Sequence, residues 1–273
     1  MIQTQPYATL NNGIKMPLLG LGAWDMYGKD AEQATLDALQ IGYRLVDTAA
    51  MYGNEKEIGN AVRKSGINRS EIFVSTKVAN TSQGYDSTLK AFDASVKKLD
   101  IDYIDLYLIH WPVKNKRKET WKALEKLFID KRVRAIGVAN YLLPFLKELE
   151  TYSTIVPAVN QIEFSPWLYL KDVLQYCNQY NIQLQSYSPL TRGKKFNDPR
   201  LLKLCKKYDK TPAQIILRWN IEHNISTIPK SSNPKRLKEN FGIFDFSLSK
   251  EDVQLMDDFN ENFRVVEDPM DML

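Results

Sequence analysis

Eight short β-branched runs alternate with amphipathic stretches along this chain: LLGLGAW (18–24), YRLVDTA (43–49), IFVSTKV (72–78), IDLYLIH (104–110), VRAIGVAN (133–140), PAVNQIEF (157–164), IQLQSYS (182–188) and ISTIPK (225–230). Between and after them lie helix patterns such as DAEQATLDALQ, EKEIGNAVRKS, TLKAFDASVKKL, ETWKALEKLFIDK, LPFLKELE, KDVLQYCNQY, DPRLLKLCKKY, TPAQIILRWNIEH and NPKRLKENF. Strand followed by helix, repeated, predicts parallel pairing through right-handed crossovers. A closed (β/α)8 TIM barrel needs roughly 250 residues, and this chain has 273 with no Pro/Gly/Ser-rich linker, so one domain over 1–273 is expected. Before the first barrel strand, Asn12-Gly13 between two strand-like runs predicts an N-terminal β-hairpin, and extra helices are expected near the C-terminus. The alternative is an open doubly wound sheet. That fold brings a glycine-rich phosphate turn after its first strand, but GLGAW supplies Gly20 and Gly22 without the third glycine.

Composition narrows the function. The 37 basic and 33 acidic side chains leave a net charge of +4, too weak and dispersed for a nucleic-acid partner. The run KNKRK (114–118) reads as a solvated loop. Two cysteines, Cys177 and Cys205, and two histidines, His110 and His223, argue against a disulfide framework or a metal centre. No run is long and apolar enough to span a membrane, and the N-terminus has no signal-peptide pattern, so a cytoplasmic protein is expected.

Barrel chemistry sits at the C-terminal ends of the strands. The second strand ends in Asp47, the third carries Lys77 near its end, and the fourth ends in His110. Each shares side-chain parity with a strand residue two positions earlier, namely Leu45, Ser75 and Leu108. Neighbouring strands therefore bring the three groups to one rim, with Tyr52 on the adjoining loop. Singly, each has a plainer reading: a strand end or helix cap for Asp47, a snorkelling Lys77, a core His110, a packing Tyr52. Together they make a proton-donating set. A carboxylate favours the charged lysine, and an ammonium beside a phenol lowers its pKa. At ~4 Å and an effective dielectric of ~20 that attraction is about 4 kcal/mol. Tyr52 would then act as general acid and His110 would orient a carbonyl oxygen.

At this point the chain resembles the aldo-keto reductase family almost end to end. The stretches that carry the resemblance are GYRLVDTAAMYGNE, STKV, DYIDLYLIHWP, VRAIGVAN, VNQIEFSPWL, SYSPL and IPKSSNPKRLKENFGIFDFSLS, in the family's order. Its nearest flavour is the short-loop branch that includes diketogluconate reductases and prostaglandin F synthase-like enzymes. The resemblance implies a catalytic tetrad of Asp47, Tyr52, Lys77 and His110, with NADPH lying extended across the barrel mouth. It further implies that Asn140 and Gln161 hold the nicotinamide carboxamide, that Tyr187 stacks on the ring, and that Ser188 and Leu190 line the pyrophosphate path. Gly22, Trp24 and Asp47 are also placed along the cofactor. Lys230, Ser231 and Arg236 would meet a ribose 2′-phosphate, and Glu239 and Asn240 the adenine, with Ser232 also in the cofactor site, which favours NADPH over NADH. Trp24, Met51 and Trp111 would wall the substrate pocket with Tyr52 and His110.

Two departures from the family pattern stand out. Ala139 occupies a position where the family usually has serine, and the segments after His110 and Asn260 are short, leaving little material for a deep pocket. The resemblance implies a monomer acting on a small-molecule carbonyl substrate. Two other readings are a Schiff-base lyase using Lys77, which borohydride trapping would reveal, and a non-catalytic NADPH-binding regulatory barrel, which would bind NADPH without turnover.

Overall fold

Asn12-Gly13 turns the chain as predicted. Leu10 and Ile14 pair across the loop, with Leu10 N donating to Ile14 O at 2.8 Å and Gly13 N to Leu10 O at 2.9 Å. Gly13 sits at φ 84°, the left-handed conformation that such a hairpin requires. The flanking strands β1 (Tyr7–Thr9) and β2 (Lys15–Pro17) are antiparallel, with Ala8 opposite Met16. In this computed structural model, which describes residues 5–273, the hairpin plugs one end of a barrel. Leu10 and Met16 pack with Leu45, Phe73 and Leu106 in the interior, and the Asn11 and Asn12 amides each donate at 3.0 Å to the carbonyls of Pro157 and Arg134.

The barrel strands are β3 (Leu21–Gly22), β4 (Leu45–Asp47), β5 (Phe73–Val78), β6 (Ile104–Ile109), β7 (Val133–Ala139), β8 (Val159–Glu163), β9 (Gln183–Tyr187) and β10 (Ser226–Thr227). They pair in parallel in sequence order. The sheet then closes on itself: Leu19 bridges Thr227, Thr227 N donates to Leu18 O at 2.8 Å, and Gly20 N donates to Thr227 O at 2.9 Å. Closure rules out the open doubly wound sheet. It also explains the glycines of GLGAW, because a Cβ on Gly22 would lie 2.6 Å from Ile228 O and one on Gly20 would overlap the Leu45 side chain. They permit close approach of the first and last strands and form no phosphate turn. These two strands are shorter than their sequence patterns suggest, β10 giving way to Pro229, which has no N–H for a ladder.

Between the strands run α1 (Gly28–Ile41), α2 (Glu55–Lys64), α3 (Tyr85–Leu99), α4 (Arg117–Ile129), α5 (Leu143–Glu150), α6 (Lys171–Gln179), α7 (Pro199–Tyr208), α8 (Pro212–Glu222) and α9 (Pro234–Phe241). Capping residues set several starts: Thr211 and Gln214 form a capping box on α8, and Asn233 accepts from Lys235 N and Arg236 N at the head of α9. The last helix, α10 (Lys250–Asp257), has no specific sequence prediction beyond the expected extra C-terminal helices; Ser249 caps it. Helix faces and outward strand residues such as Val46, Val74 and Tyr107 form the outer core, while Leu45, Phe73, Leu106 and Leu108 fill the interior. No helix among the described residues is long and apolar enough to cross a membrane. The KNKRK run is less simple than a solvated loop, since Arg117 is buried and donates to Pro112 O, Glu148 and Met272 O.

Candidate active site

The interior parity that places Leu45 inside the barrel continues to Asp47, and that of Leu106 and Leu108 continues to His110. The predicted convergence therefore occurs. Lys77 Nζ donates to Asp47 Oδ2 at 2.6 Å and to Thr48 O at 2.9 Å, and both charged side chains are buried. Asp47 Oδ1 accepts from Ser75 Oγ at 2.7 Å and from Gln161 Nε2 at 2.9 Å. The Tyr52 ring lies edge-on to His110, with centroids 5.5 Å apart, and Lys77 Nζ is 5.1 Å from the Tyr52 ring centre.

The loop that carries Tyr52 is pinned by a buried asparagine. Thr48 Oγ1 donates to Asn54 Oδ1 at 2.6 Å, while Asn54 Nδ2 donates to Ala23 O and Met26 O, each at 2.8 Å. These bonds tie the Tyr52 loop to the loop that bears Trp24. Gly53, at φ 69°, lets the chain leave the short 3-10 turn Ala50–Tyr52.

Burial sets the protonation of the group, and in one case against the sequence-based expectation. The Tyr52 phenol is pushed well above its ordinary pKa, first by desolvation and then by the negative charge of Asp47. The expected lowering by Lys77 does not prevail, because the ammonium is engaged by Asp47 and the phenol has lost water. Burial pulls Lys77 down, while the charge and hydrogen bond of Asp47 push it back up. His110 is driven well below 6.5 by burial and then by the Lys77 charge, so its ring is neutral near pH 7. With Nζ held by Asp47 and Thr48 O, Lys77 presents no free amine, which removes the basis of the Schiff-base reading.

Around this group opens a cavity of about 860 Å³. Of the residues singled out in the sequence, Gly22, Trp24, Asp47, Met51, Tyr52, His110 and Trp111 line it, as do Asn140, Gln161, Tyr187, Ser188, Leu190 and Lys230. Asn140, at φ 65°, donates from Nδ2 to His110 O at 2.9 Å and accepts from Tyr187 Oη at 2.6 Å. Ala139 is fully buried in the barrel interior and contributes no hydroxyl. Six predicted residues lie outside the lining: Lys77, which sits behind Asp47, and Ser231, Ser232, Arg236, Glu239 and Asn240. Ser231 Oγ is engaged with the Asn233 backbone and Glu239 accepts from Thr211 Oγ1 at 2.7 Å, whereas Arg236 is exposed on the first turn of α9.

Sequence reasoning missed two parts of the wall. Arg192 lies over the Trp24 ring at 4.8 Å, and Lys230 Nζ is 3.9 Å from Asp25 Oδ2, so the loops after β9 and β10 both meet the loop after β3 across the mouth. The C-terminal segment also lines the cavity through Arg264, Val265, Val266 and Glu267. Buried Glu163, two residues beyond Gln161 on β8, accepts from Val265 N at 2.7 Å and Val266 N at 3.2 Å. The short tail thus builds more of the pocket than its length suggests, and the only sequence signal was a carboxylate at the end of a barrel strand.

Comparison with known proteins gives the same answer as the geometry. The family model described as "Aldo/keto reductase family" matches residues 18–261. Glyoxal reductase of Bacillus subtilis (strain 168) is 45% identical over 265 residues, covering 97% of this chain and 96% of the relative. The aldo-keto reductase MGS-M4, from a Medee basin deep-sea metagenome library, superposes with a TM-score of 0.94 at 43% identity over 96% of this chain and 97% of that one. A variant of Gox0644, solved in complex with NADPH, gives a TM-score of 0.93 at 37% identity over 98% of both chains. A closed barrel with a buried Asp47–Lys77 pair, Tyr52 and His110 at its mouth, matched over nearly its whole length, belongs to the aldo/keto reductase family.

Proposed function

We propose that this protein reduces aldehydes and ketones to alcohols with NADPH, with Tyr52 as the proton donor. The observation that carries the reading is the convergence of Asp47, Tyr52 and His110 on the cavity wall, with Lys77 bonded to Asp47 behind them, beneath an apolar mouth of Trp24, Met51 and Trp111. The cavity chemistry fits the dinucleotide: Arg192, Lys194, Lys230 and Arg264 supply cationic groups for phosphates, and Asn140 and Gln161 supply amides for the carboxamide. Tyr187, Ser188 and Leu190 would flank it. The NADPH held by the Gox0644 variant supports the same choice.

When bound, the cofactor supplies a hydride to the carbonyl carbon. The chain supplies the rest. Tyr52, kept protonated by burial, gives its proton to the carbonyl oxygen. Neutral His110 is placed to donate a hydrogen bond to that oxygen and fix its direction. Asp47 and Thr48 O hold the Lys77 ammonium beside Tyr52, where its positive charge favours the phenolate left after proton transfer.

The substrate is a small carbonyl compound, with 2-oxoaldehydes included on the strength of the glyoxal reductase relative. The reading extends to one catalytic domain, supported by a barrel that closes within one chain, and to a monomer in the cytoplasm, a compartment with which two free thiols are compatible. NADPH oxidation across a panel of aldehydes and ketones, with NADH in parallel, tests it. Tyr52→Phe should abolish turnover while cofactor binding persists, and substantial retained turnover would refute the role. Tight NADPH binding without turnover of any carbonyl would favour the regulatory reading.

A further inference from the structure

A directed chain of hydrogen bonds runs through the barrel interior behind the cavity. Ser226 Oγ donates to Pro17 O at 3.2 Å, Gln185 Nε2 donates to Ser226 Oγ at 3.2 Å, Gln161 Nε2 donates to Gln185 Oε1 at 2.7 Å, and Gln161 Nε2 also donates to Asp47 Oδ1 at 2.9 Å. The chain begins at a carbonyl and ends at a carboxylate that already accepts from Lys77 and Ser75. Acceptors at both ends leave one arrangement of the two amides that satisfies every link. Gln185, Gln161 and Ser226 are all buried, so turning either amide over would set donor against donor or acceptor against acceptor without water to relieve it.

We propose that Gln185 is a positioning residue that locks the Gln161 amide so that its oxygen alone faces the cofactor. Both N–H bonds of Gln161 are engaged by Asp47 and Gln185, which leaves Oε1 as its one free group toward the cavity it lines. Asn140 has the complementary remainder: its oxygen accepts from Tyr187 and one N–H is engaged by His110 O, which leaves one N–H to donate. One acceptor and one donor recognise a primary carboxamide in a single orientation, the amino group on Gln161 and the oxygen on Asn140. Because Ala139 brings no hydroxyl to this cradle, the discrimination falls on Gln161, and Gln185 is the group behind it. The inference rests on the proposed carboxamide role of Asn140 and Gln161.

The test measures binding by quenching of intrinsic tryptophan fluorescence, using NADP+ and its 3-acetylpyridine analogue, which replaces the carboxamide amino group with a methyl. The wild-type protein should bind NADP+ about tenfold more tightly than the analogue, the scale of one hydrogen bond that leaves a buried acceptor unmet when lost. Gln185→Met removes one of the two acceptors that hold the Gln161 amide and should shrink that ratio severalfold. Ser226→Ala, a milder change that releases Gln185, should shrink it less and keeps the idea testable if the methionine variant does not fold. Gln185→Glu retains the acceptor and should restore the ratio. A ratio near one in the wild-type protein would overturn the carboxamide role of Gln161 itself. A wild-type preference left intact in both Gln185→Met and Ser226→Ala would overturn the role of Gln185 alone.

Discussion

Lys77 Nζ and Asp47 Oδ2 lie 2.6 Å apart with both side chains buried, so each charge has the other as its principal compensation. Ser75, Gln161 and Thr48 O complete the pair's hydrogen bonds. Removing one partner from such a pair typically costs about 3–5 kcal/mol, because the other is left buried and uncompensated. Asp47→Ala should therefore lower stability by that amount in urea unfolding, while Asp47→Leu with Lys77→Met should recover most of the loss. A cost below about 1 kcal/mol for Asp47→Ala would contradict the pairing.

With Tyr52 as the proposed proton donor, its raised pKa predicts the pH dependence of the reaction. A proton donor is competent below its pKa and fails as pH rises through it. Carbonyl reduction should accordingly lose no rate to Tyr52 ionisation between pH 6 and 9, since the ordinary tyrosine value of about 10 is itself exceeded. Alcohol oxidation needs the phenolate and should gain rate with alkalinity over the same range. Stopped-flow measurement of the hydride step checks this, and a reduction limb that falls with an apparent pKa near 7 would contradict it.

Glu163 holds the wall of the pocket by accepting from Val265 N and Val266 N. Glu163→Ala leaves two backbone donors without their acceptor and should release the 264–267 segment. The expected result is a KM about tenfold higher for carbonyl substrates large enough to touch Val265 and Val266, with a smaller change in kcat. Limited proteolysis near Phe263 should quicken in parallel. A KM for large substrates unchanged from wild type, or raised equally for small and large substrates, would argue against this role.

Gly22 is required by barrel closure. Alanine there would place its Cβ 2.6 Å from Ile228 O, a backbone atom that cannot swing aside. Gly22→Ala should cost about 1–3 kcal/mol through overpacking, read as a lower urea midpoint. A neutral result would mean that the first and last strands can part without penalty.

Much of this was legible in one dimension. Alternation of β-branched runs with amphipathic helices located all eight barrel strands, because side-chain periodicity is local. Strand parity likewise brought Asp47, Lys77 and His110 to one rim. The helix α10 lacked a comparably clear pattern and was anticipated only as extra C-terminal helix.

The barrel, its hairpin and the residue types at the strand ends all follow from local pattern and from neighbouring strands pairing in order. The remainder depends on how the elements pack in three dimensions. That packing set the sign of the Tyr52 shift, because desolvation depends on what surrounds the phenol and not on which residues are nearby in sequence. It joined Glu163 to Val265 and Val266 across more than a hundred residues, and linked Gln161 through Gln185 and Ser226 to Pro17. Such bonds form between elements that chain closure brings together, and no periodicity along the chain encodes where a buried donor will find its acceptor.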